Sequence, residues 1–196
     1  TRLGVIYEPN LSFDADTEEV PWHEDGYYLS CRPQFTLDPL FHAGCYYVQE
    51  ASSMFLEEIL TQYVNRDSIV LDMCAAPGGK SMLAAAKAAE VLARDVSEYK
   101  TDLIRMNCER MGISNKVFVE VWDAAVEDPA RKDYADVLIM DVPCSGLGVM
   151  GKKRDIKYNV TPESIESLLQ LQKAIIDASW QYVKKGGTLM YSTCTI

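Results

Sequence analysis

Three apolar residues in succession, Ile69, Val70 and Leu71, run through Asp72-Met73-Cys74 into the turn Ala75-Ala76-Pro77-Gly78-Gly79, and an alanine-rich stretch follows from Lys80 to Lys87. A short apolar run of this kind reads as a buried strand, and proline beside two glycines ends it. The alanine-rich stretch reads as a helix. A strand, a glycine turn and a helix N-terminus make a binding loop. The glycines let backbone approach a ligand, and the unpaired N–H groups of the first helical turn favour negative charge. The spacing fits neither G-x-x-x-x-G-K-[ST] nor G-x-G-x-x-G, so a nucleoside triphosphate and NAD are not the first ligands to consider.

The rest of the chain repeats the unit. Residues 68–73 and 90–95 read as strands around a helix over residues 80–88, and residues 97–111 as a helix with Leu103, Ile104, Cys108 and Met111 at helical spacing. Gly112 is placed to end it. Residues 117–122 and 135–140 read as further strands. Thr161 is a candidate N-cap with Pro162 at the first helical position, and that helix is predicted to continue to Lys184-Lys185-Gly186-Gly187. Residues 188–192 complete five strands. Strands alternating with helices predict an α/β fold, a mostly parallel sheet with helices on both faces. Upstream, residues 49–63 read as one amphipathic helix with Phe55, Ile59, Leu60 and Tyr63 on its face. Residues 1–40 carry four prolines and an acidic patch, and read as a small accessory segment with Tyr27-Tyr28-Leu29 as one side of a hairpin.

Composition bounds the function. At 196 residues, 48% apolar and 24% charged, the chain is long enough to bury a core without disulfides. It has no run of the roughly 20 apolar residues that would span a bilayer, so no membrane partner is expected. A start at Thr1 points to a piece of something longer. Its net charge of −10 argues against a generally polyanion-binding surface, so any nucleic-acid contact must be local. The six cysteines are dispersed without a C-x-x-C pair, as in a protein with reduced thiols in the cytoplasm.

In a parallel α/β sheet, ligands sit where the strands finish. The predicted strands finish at Asp72-Met73-Cys74, at Asp95, at Asp123, at Asp141-Val142-Pro143-Cys144 and at Thr193-Cys194. Aspartate is a common turn or cap residue, but acids and two cysteines meeting on one rim are hard to explain as caps. An acid about 20 residues past the glycine turn suits ribose hydroxyls, and Asp123 suits the exocyclic amine of an adenine. Cys144 lies between Pro143 and Ser145-Gly146, on a tight turn, and Cys194 just beyond a strand. A metal held by these cysteines and acids is the weaker reading, since structural sites use four Cys or His ligands and no histidine is near in sequence. A zinc site from His23, Cys31, His42 and Cys45 is weaker still.

The runs LDMCAAPGGK from Leu71 to Lys80, DVPCSGLG from Asp141 to Gly148 and YSTCT from Tyr191 to Thr195 resemble three hallmark motifs of the Sun/NSUN-type RNA (cytosine-5) methyltransferases, a group that includes bacterial ribosomal RNA enzymes. HAGCYYVQEASS, from His42 to Ser53, resembles the segment leading into their core. The resemblance covers about residues 40–196 and implies a Rossmann-like methyltransferase core over residues 41–196, two further strands beyond Ile196, and residues 1–40 as a remnant of an RNA-recognition subdomain. The helix after Lys80 is shorter than the family's.

The resemblance also implies S-adenosylmethionine as cofactor, bound by Cys74, Ala75, Ala76, Pro77, Gly78, Gly79, Lys80, Asp95, Asp123 and Asp141. Carbon 5 of cytosine is a poor nucleophile until a thiolate adds to carbon 6. Carried over from the family, Cys194 attacks, Cys144 assists release, and Asp141 hydrogen-bonds the ring nitrogen that gains electron density. Lys80 orients the cofactor carboxylate or lowers the thiolate pKa. DNA enzymes use the Pro-Cys thiol as nucleophile, so the Thr-Cys motif points to RNA, ribosomal RNA first. Lys152, Lys153 and Arg154 follow the Pro-Cys loop as candidate phosphate contacts. Tyr46, Tyr47 and Trp122 could stack bases, although core packing is the stronger reading. The implied protein is a cytoplasmic, metal-free monomer acting on RNA. A catalytically silent RNA-binding or assembly module and a methyltransferase for DNA or another substrate are the rival readings.

Overall fold

The computed structural model describes residues 3–7, 16–151 and 155–195. Two sheets organise them. The first is antiparallel, from β1 (Leu3–Tyr7), β2 (Thr17–Glu19), β3 (Gly26–Leu29) and β4 (Tyr46–Glu50), in the order β2-β3-β1-β4. The hairpin side expected at Tyr27–Leu29 is present as β3. A short helix, α1 (Pro39–His42), precedes β4, and Asp38 caps it by accepting from the Leu40 amide. Tyr46 is buried between Phe35 and Phe41.

Residues 49–63 are not one helix. β4 pairs with β1 from Tyr7↔Tyr46 to Leu3↔Glu50, which claims Gln49 and Glu50 for the sheet. Helix begins only at Ala51, as α2 (Ala51–Met54) and α3 (Leu56–Tyr63). The buried face is Leu56 and Leu60, while Phe55 and Tyr63 stand exposed. Of the expected face, Leu60 is fully buried and Ile59 half-buried, while Leu56 takes the buried place expected of Phe55.

The second sheet is the expected one. It runs β5 (Ile69–Asp72), α4 (Gly79–Lys87), β6 (Glu90–Asp95), α5 (Glu98–Arg110), β7 (Val117–Val121), β8 (Ala135–Asp141), α6 (Ile156–Asn159), α7 (Pro162–Ser179) and β9 (Val183–Ser192). All four pairings are parallel, in the order β7-β6-β5-β8-β9. Period-2 alternation sends Val70, Val91, Ala93, Val137 and Ile139 to one face, against Leu60, Leu83, Ala84, Ile104 and Cys108. Leu71, Leu92, Leu138 and Met140 go to the other face, against Ile175 and Tyr182. Helices therefore cover both faces.

The last helix ends earlier than its apolar spacing predicts. Thr161 and Ser164 form a reciprocal capping box at its start, but α7 stops at Ser179, a 3-10 turn takes Trp180–Tyr182, and Val183 already pairs with Ala135. Gly186, at φ +84°, sits within β9 where the register shifts, rather than ending a helix.

The two sheets are joined through side chains. From α5, Arg110 donates to the carbonyls of Phe41 (2.9 Å) and Tyr46 (3.1 Å) and lies over the Phe41 ring. A Cβ on Gly44, whose φ is +76°, would come within 1.8 Å of the Arg110 carbonyl. The buried His23 meets Glu57 at 2.9 Å, and Glu57 also pairs with Lys87. Among the described residues no helix is long and apolar enough to cross a membrane.

Candidate active site

The chain leaves β5 toward β6 on one side and reaches β8 on the other, so a crevice opens at the carboxyl ends of β5 and β8. The glycine loop lies there. Ala75 donates to the Arg94 carbonyl (2.9 Å) and Gly78 to the Ala75 carbonyl (2.7 Å), which anchors the loop across the end of β6. Gly78 has φ +105°, a conformation that disfavours any side chain. At Gly79 a Cβ would lie 3.0 Å from Gln49 Oε1 and 3.3 Å from the Tyr47 ring. β4 thus roofs the loop, and a cavity of about 260 Å³ is enclosed by Tyr47, Gln49, Cys74, Ala76, Lys80 and Asp141.

Asp95 lies beneath the loop, buried. One carboxylate oxygen accepts from the Ala76 amide (3.0 Å), and the other accepts from Val96 (2.7 Å) and pairs with Lys100. Asp123 is exposed and closes its own turn by accepting from the Ala125 amide. Asp72 ends β5 with no exposed surface and accepts from the Ser81 hydroxyl at 2.7 Å; burial pushes its carboxyl up to about 6. Burial, with Asp72 and Asp95 nearby, pushes the half-buried Cys74 thiol up to about 12.

Asp141, at the end of β8, joins the two halves of the crevice. Its oxygens accept from Lys80 Nζ (2.6 Å) and from the Ser192 hydroxyl (2.7 Å). Beyond it, Cys144 Sγ and Cys194 Sγ lie 2.9 Å apart. The loops that carry them are bound together by a Ser145–Thr195 hydroxyl pair (2.7 Å) and by the Gly148 amide donating to the Cys194 carbonyl (3.1 Å). Gln172 of α7 donates to the Pro143 carbonyl and accepts from Tyr191, bracing the Pro-Cys turn from behind. A second cavity, about 520 Å³, lies between Lys80, Asp141, Gly148, Ser192 and Cys194 on one side and Glu50, Ser52 and Ser53 on the other. Burial and then the Cys144 thiol, with Asp141 contributing, push Cys194 up to about 11.

The structure thus brings Cys74–Lys80, Asp141, Cys144 and Cys194 together, with Asp95 directly below and Asp123 on an outer turn. Lys152, Lys153 and Arg154 lie outside the described residues. Tyr46 and Tyr47 are buried, and Trp122 is half-buried against Arg94, as core packing requires. His42 meets the Thr36 carbonyl, and His23 meets Glu57. Among the described residues no three His, Cys, Asp or Glu side chains are grouped to hold a metal. Strand-end reasoning missed Gln49, Glu50, Ser52, Ser53 and Ser192. Gln49 and Glu50 come from the other sheet and Ser52 and Ser53 from the helix that follows it, and only the similarity of their segment to the one preceding such cores hinted at them.

The doubly wound sheet with this crevice is the fold of the Rossmann-like S-adenosylmethionine-dependent methyltransferases. A methyltransferase homolog protein from Pyrococcus horikoshii superposes over 100% of this chain and 65% of its own, with TM-score 0.77 and 27% identity. NSun6 from the same organism, solved with SFG, superposes over 84% of this chain and 42% of its own, with TM-score 0.71 and 30% identity. Residues 59–196 match the model of the 16S rRNA methyltransferase RsmB/F family, and residues 7–51 that of the N-terminal domain of 16S rRNA methyltransferase RsmF. The chain belongs to this family. Ribosomal RNA small subunit methyltransferase F of Erwinia tasmaniensis is 35% identical over 90% of the chain, and that of Shewanella amazonensis 34% over 99%. The chain spans 38% and 42% of the lengths of these two relatives.

Proposed function

We propose that the protein transfers a methyl group from S-adenosylmethionine to carbon 5 of a cytosine in ribosomal RNA of the small subunit, with Cys194 as nucleophile. The observation that carries this reading is the pair of thiols, 2.9 Å apart, of which Cys194 lines the same cavity as the Lys80–Asp141 pair. One thiol suffices to add to a ring. A second beside it has a use when the product must be released.

S-adenosylmethionine would supply the methyl group, and the lining of the loop cavity suits it: Gly78, at φ +105°, and Gly79, whose Cβ would meet the Gln49 and Tyr47 side chains, keep the turn beneath β4 bare of side chains. Residues Cys74–Lys80 would hold the cofactor. Asp95 shapes the loop through its bonds to Ala76 and Val96 and retains lone pairs for ribose hydroxyls. Asp123, on its exposed turn, would accept from the exocyclic amine of the adenine, and Lys80 holds Asp141 in place. With the target base in the larger cavity, the Cys194 thiolate adds to carbon 6, the ring nitrogen that gains the electron pair takes up a proton from solvent and donates the resulting N–H to Asp141, and after methylation a base removes the carbon 5 proton while Cys144 assists expulsion of Cys194. A base must leave its stack to reach these sulfurs, so the substrate is single-stranded or flipped. The N-terminal segment, residues 1–40, serves as an accessory to RNA recognition while β4 completes the cofactor roof.

Transfer of labelled methyl to small-subunit RNA tests the reading. Cys194→Ser should lose roughly a hundredfold or more in rate. Cys144→Ser should accumulate a covalent RNA adduct, seen as a shifted band. Label reaching RNA equally fast in the Cys194 variant sinks the nucleophile assignment. Cofactor binding without transfer to any RNA favours a silent assembly module.

A further inference from the structure

We propose that Cys144 and Cys194 close into a reversible intramolecular disulfide, a modification site that switches the crevice off under oxidising conditions. The consequence for activity rests on the function proposed above; formation of the bond does not. The two sulfurs face each other at 2.9 Å with no group between them. Backbone and side-chain bonds on either side hold the two loops in that facing arrangement: Val142 to the Ser192 carbonyl (3.1 Å), Gly148 to the Cys194 carbonyl (3.1 Å), and Ser145 with Thr195 (2.7 Å). Cys194 is exposed and Cys144 half-buried, so a small oxidant reaches the first and the second lies behind it. Of the other cysteines, Cys108 is buried in the core and Cys31 follows β3 on the surface of the antiparallel sheet's segment.

The step balances with a low-molecular-weight disulfide as oxidant. Cys194 thiolate attacks one reagent sulfur, breaking the reagent S–S bond and releasing one thiol that takes up a proton. Cys144, losing its own proton, then attacks Cys194 Sγ and expels the second thiol. The reagent is reduced to two thiols, the protein is oxidised by two electrons, and two protons pass from protein to reagent. Both sulfurs needed for addition and release are consumed, while the loop from Cys74 to Lys80 is untouched, so cofactor binding should persist. Burial raises the Cys194 pKa, so the reaction should accelerate with pH.

Oxidised glutathione applied to the 196-residue chain tests this. The intact mass should fall by two hydrogens, proteolysis should recover the Cys144 peptide joined to the Cys194 peptide, and dithiothreitol should separate them. Cys144→Ser should stop at a glutathione adduct on Cys194. Recovery of Cys144 and Cys194 on separate peptides, each carrying its own glutathione, or both unmodified while Cys31 is modified, overturns the proposal. In the protein, methyl transfer should fall at least roughly tenfold on oxidation and return on reduction. Undiminished transfer by the linked protein overturns the switch. Linked peptides in a protein that also lacks transfer when reduced support the disulfide and count against the function proposed above.

Discussion

The Gly148 amide donates to the Cys194 carbonyl, and a Cβ on Gly148 would sit 2.7 Å from that same oxygen. The glycine is therefore what lets the Pro-Cys loop lie against the Thr-Cys strand end. Gly148→Ala should push the loops apart at a cost of about 1–3 kcal/mol. Methyl transfer should drop at least roughly tenfold, as small misplacements at a reacting centre do. Kinetics and glutathione crosslinking should fail together. Wild-type rates in the alanine variant would mean that the loops are aligned by something else.

The Cys194 thiol, held up to about 11 by burial first and then by Cys144, should alkylate slowly at neutral pH. Its rate with iodoacetamide should climb about tenfold per pH unit through the alkaline range without levelling near pH 8. Cys144→Ala removes the sulfur that raises it, so the profile should move to lower pH. An unmoved profile contradicts the pairing.

Asp72 is buried with its carboxyl pushed up to about 6, above the ordinary carboxylate range, so the folded state holds the proton more tightly than the unfolded chain. That contribution is present in full below the unfolded pKa and is lost as pH rises through about 6. It amounts to about 3 kcal/mol. Asp72→Asn keeps the shape and stays neutral, so its stability relative to wild type should increase from about pH 4 to pH 7 by an amount of that order. Urea unfolding at the two ends of the range reads the difference, and a constant gap refutes it.

Arg94 has almost no exposure and pairs with Glu120 at 2.7 Å and with Asp128 at 2.6 Å, beneath the Trp122 ring. Arg94→Met should leave the buried Asp128 carboxylate without its cation, at a cost of about 3 kcal/mol by urea denaturation. Because the Arg94 carbonyl also anchors Ala75, cofactor affinity should change much less than stability. A loss below about 1 kcal/mol would show the cluster to be solvated.

Local patterns sufficed for the parallel sheet. Val70, Val91 and Val137 lie in short apolar runs, and a run buried on both faces needs no partner information to be read as a strand. Helix starts were equally legible at Thr161 and Ser97, where a side chain caps a neighbour three residues on. The boundaries at Gln49 and Val183 were not. Gln49 is extended because β1, more than 40 residues away, supplies its ladder, and Val183 because Ala135 does.

The same division runs through the crevice. The residues at strand ends could be named from the sequence because period and topology together say where a strand finishes, and that selection found Asp141, Cys144 and Cys194. Their distances could not be read this way, since 50 residues separate the two sulfurs that end 2.9 Å apart. Nor could the roof over the glycine loop, because Tyr47 and Gln49 reach Gly79 only when Arg110 draws one sheet onto the other. The fold class and the chemistry of the rim are written in local pattern. The enclosure of the cavities and the facing thiols belong to long-range packing, which a pattern of nearest neighbours does not contain.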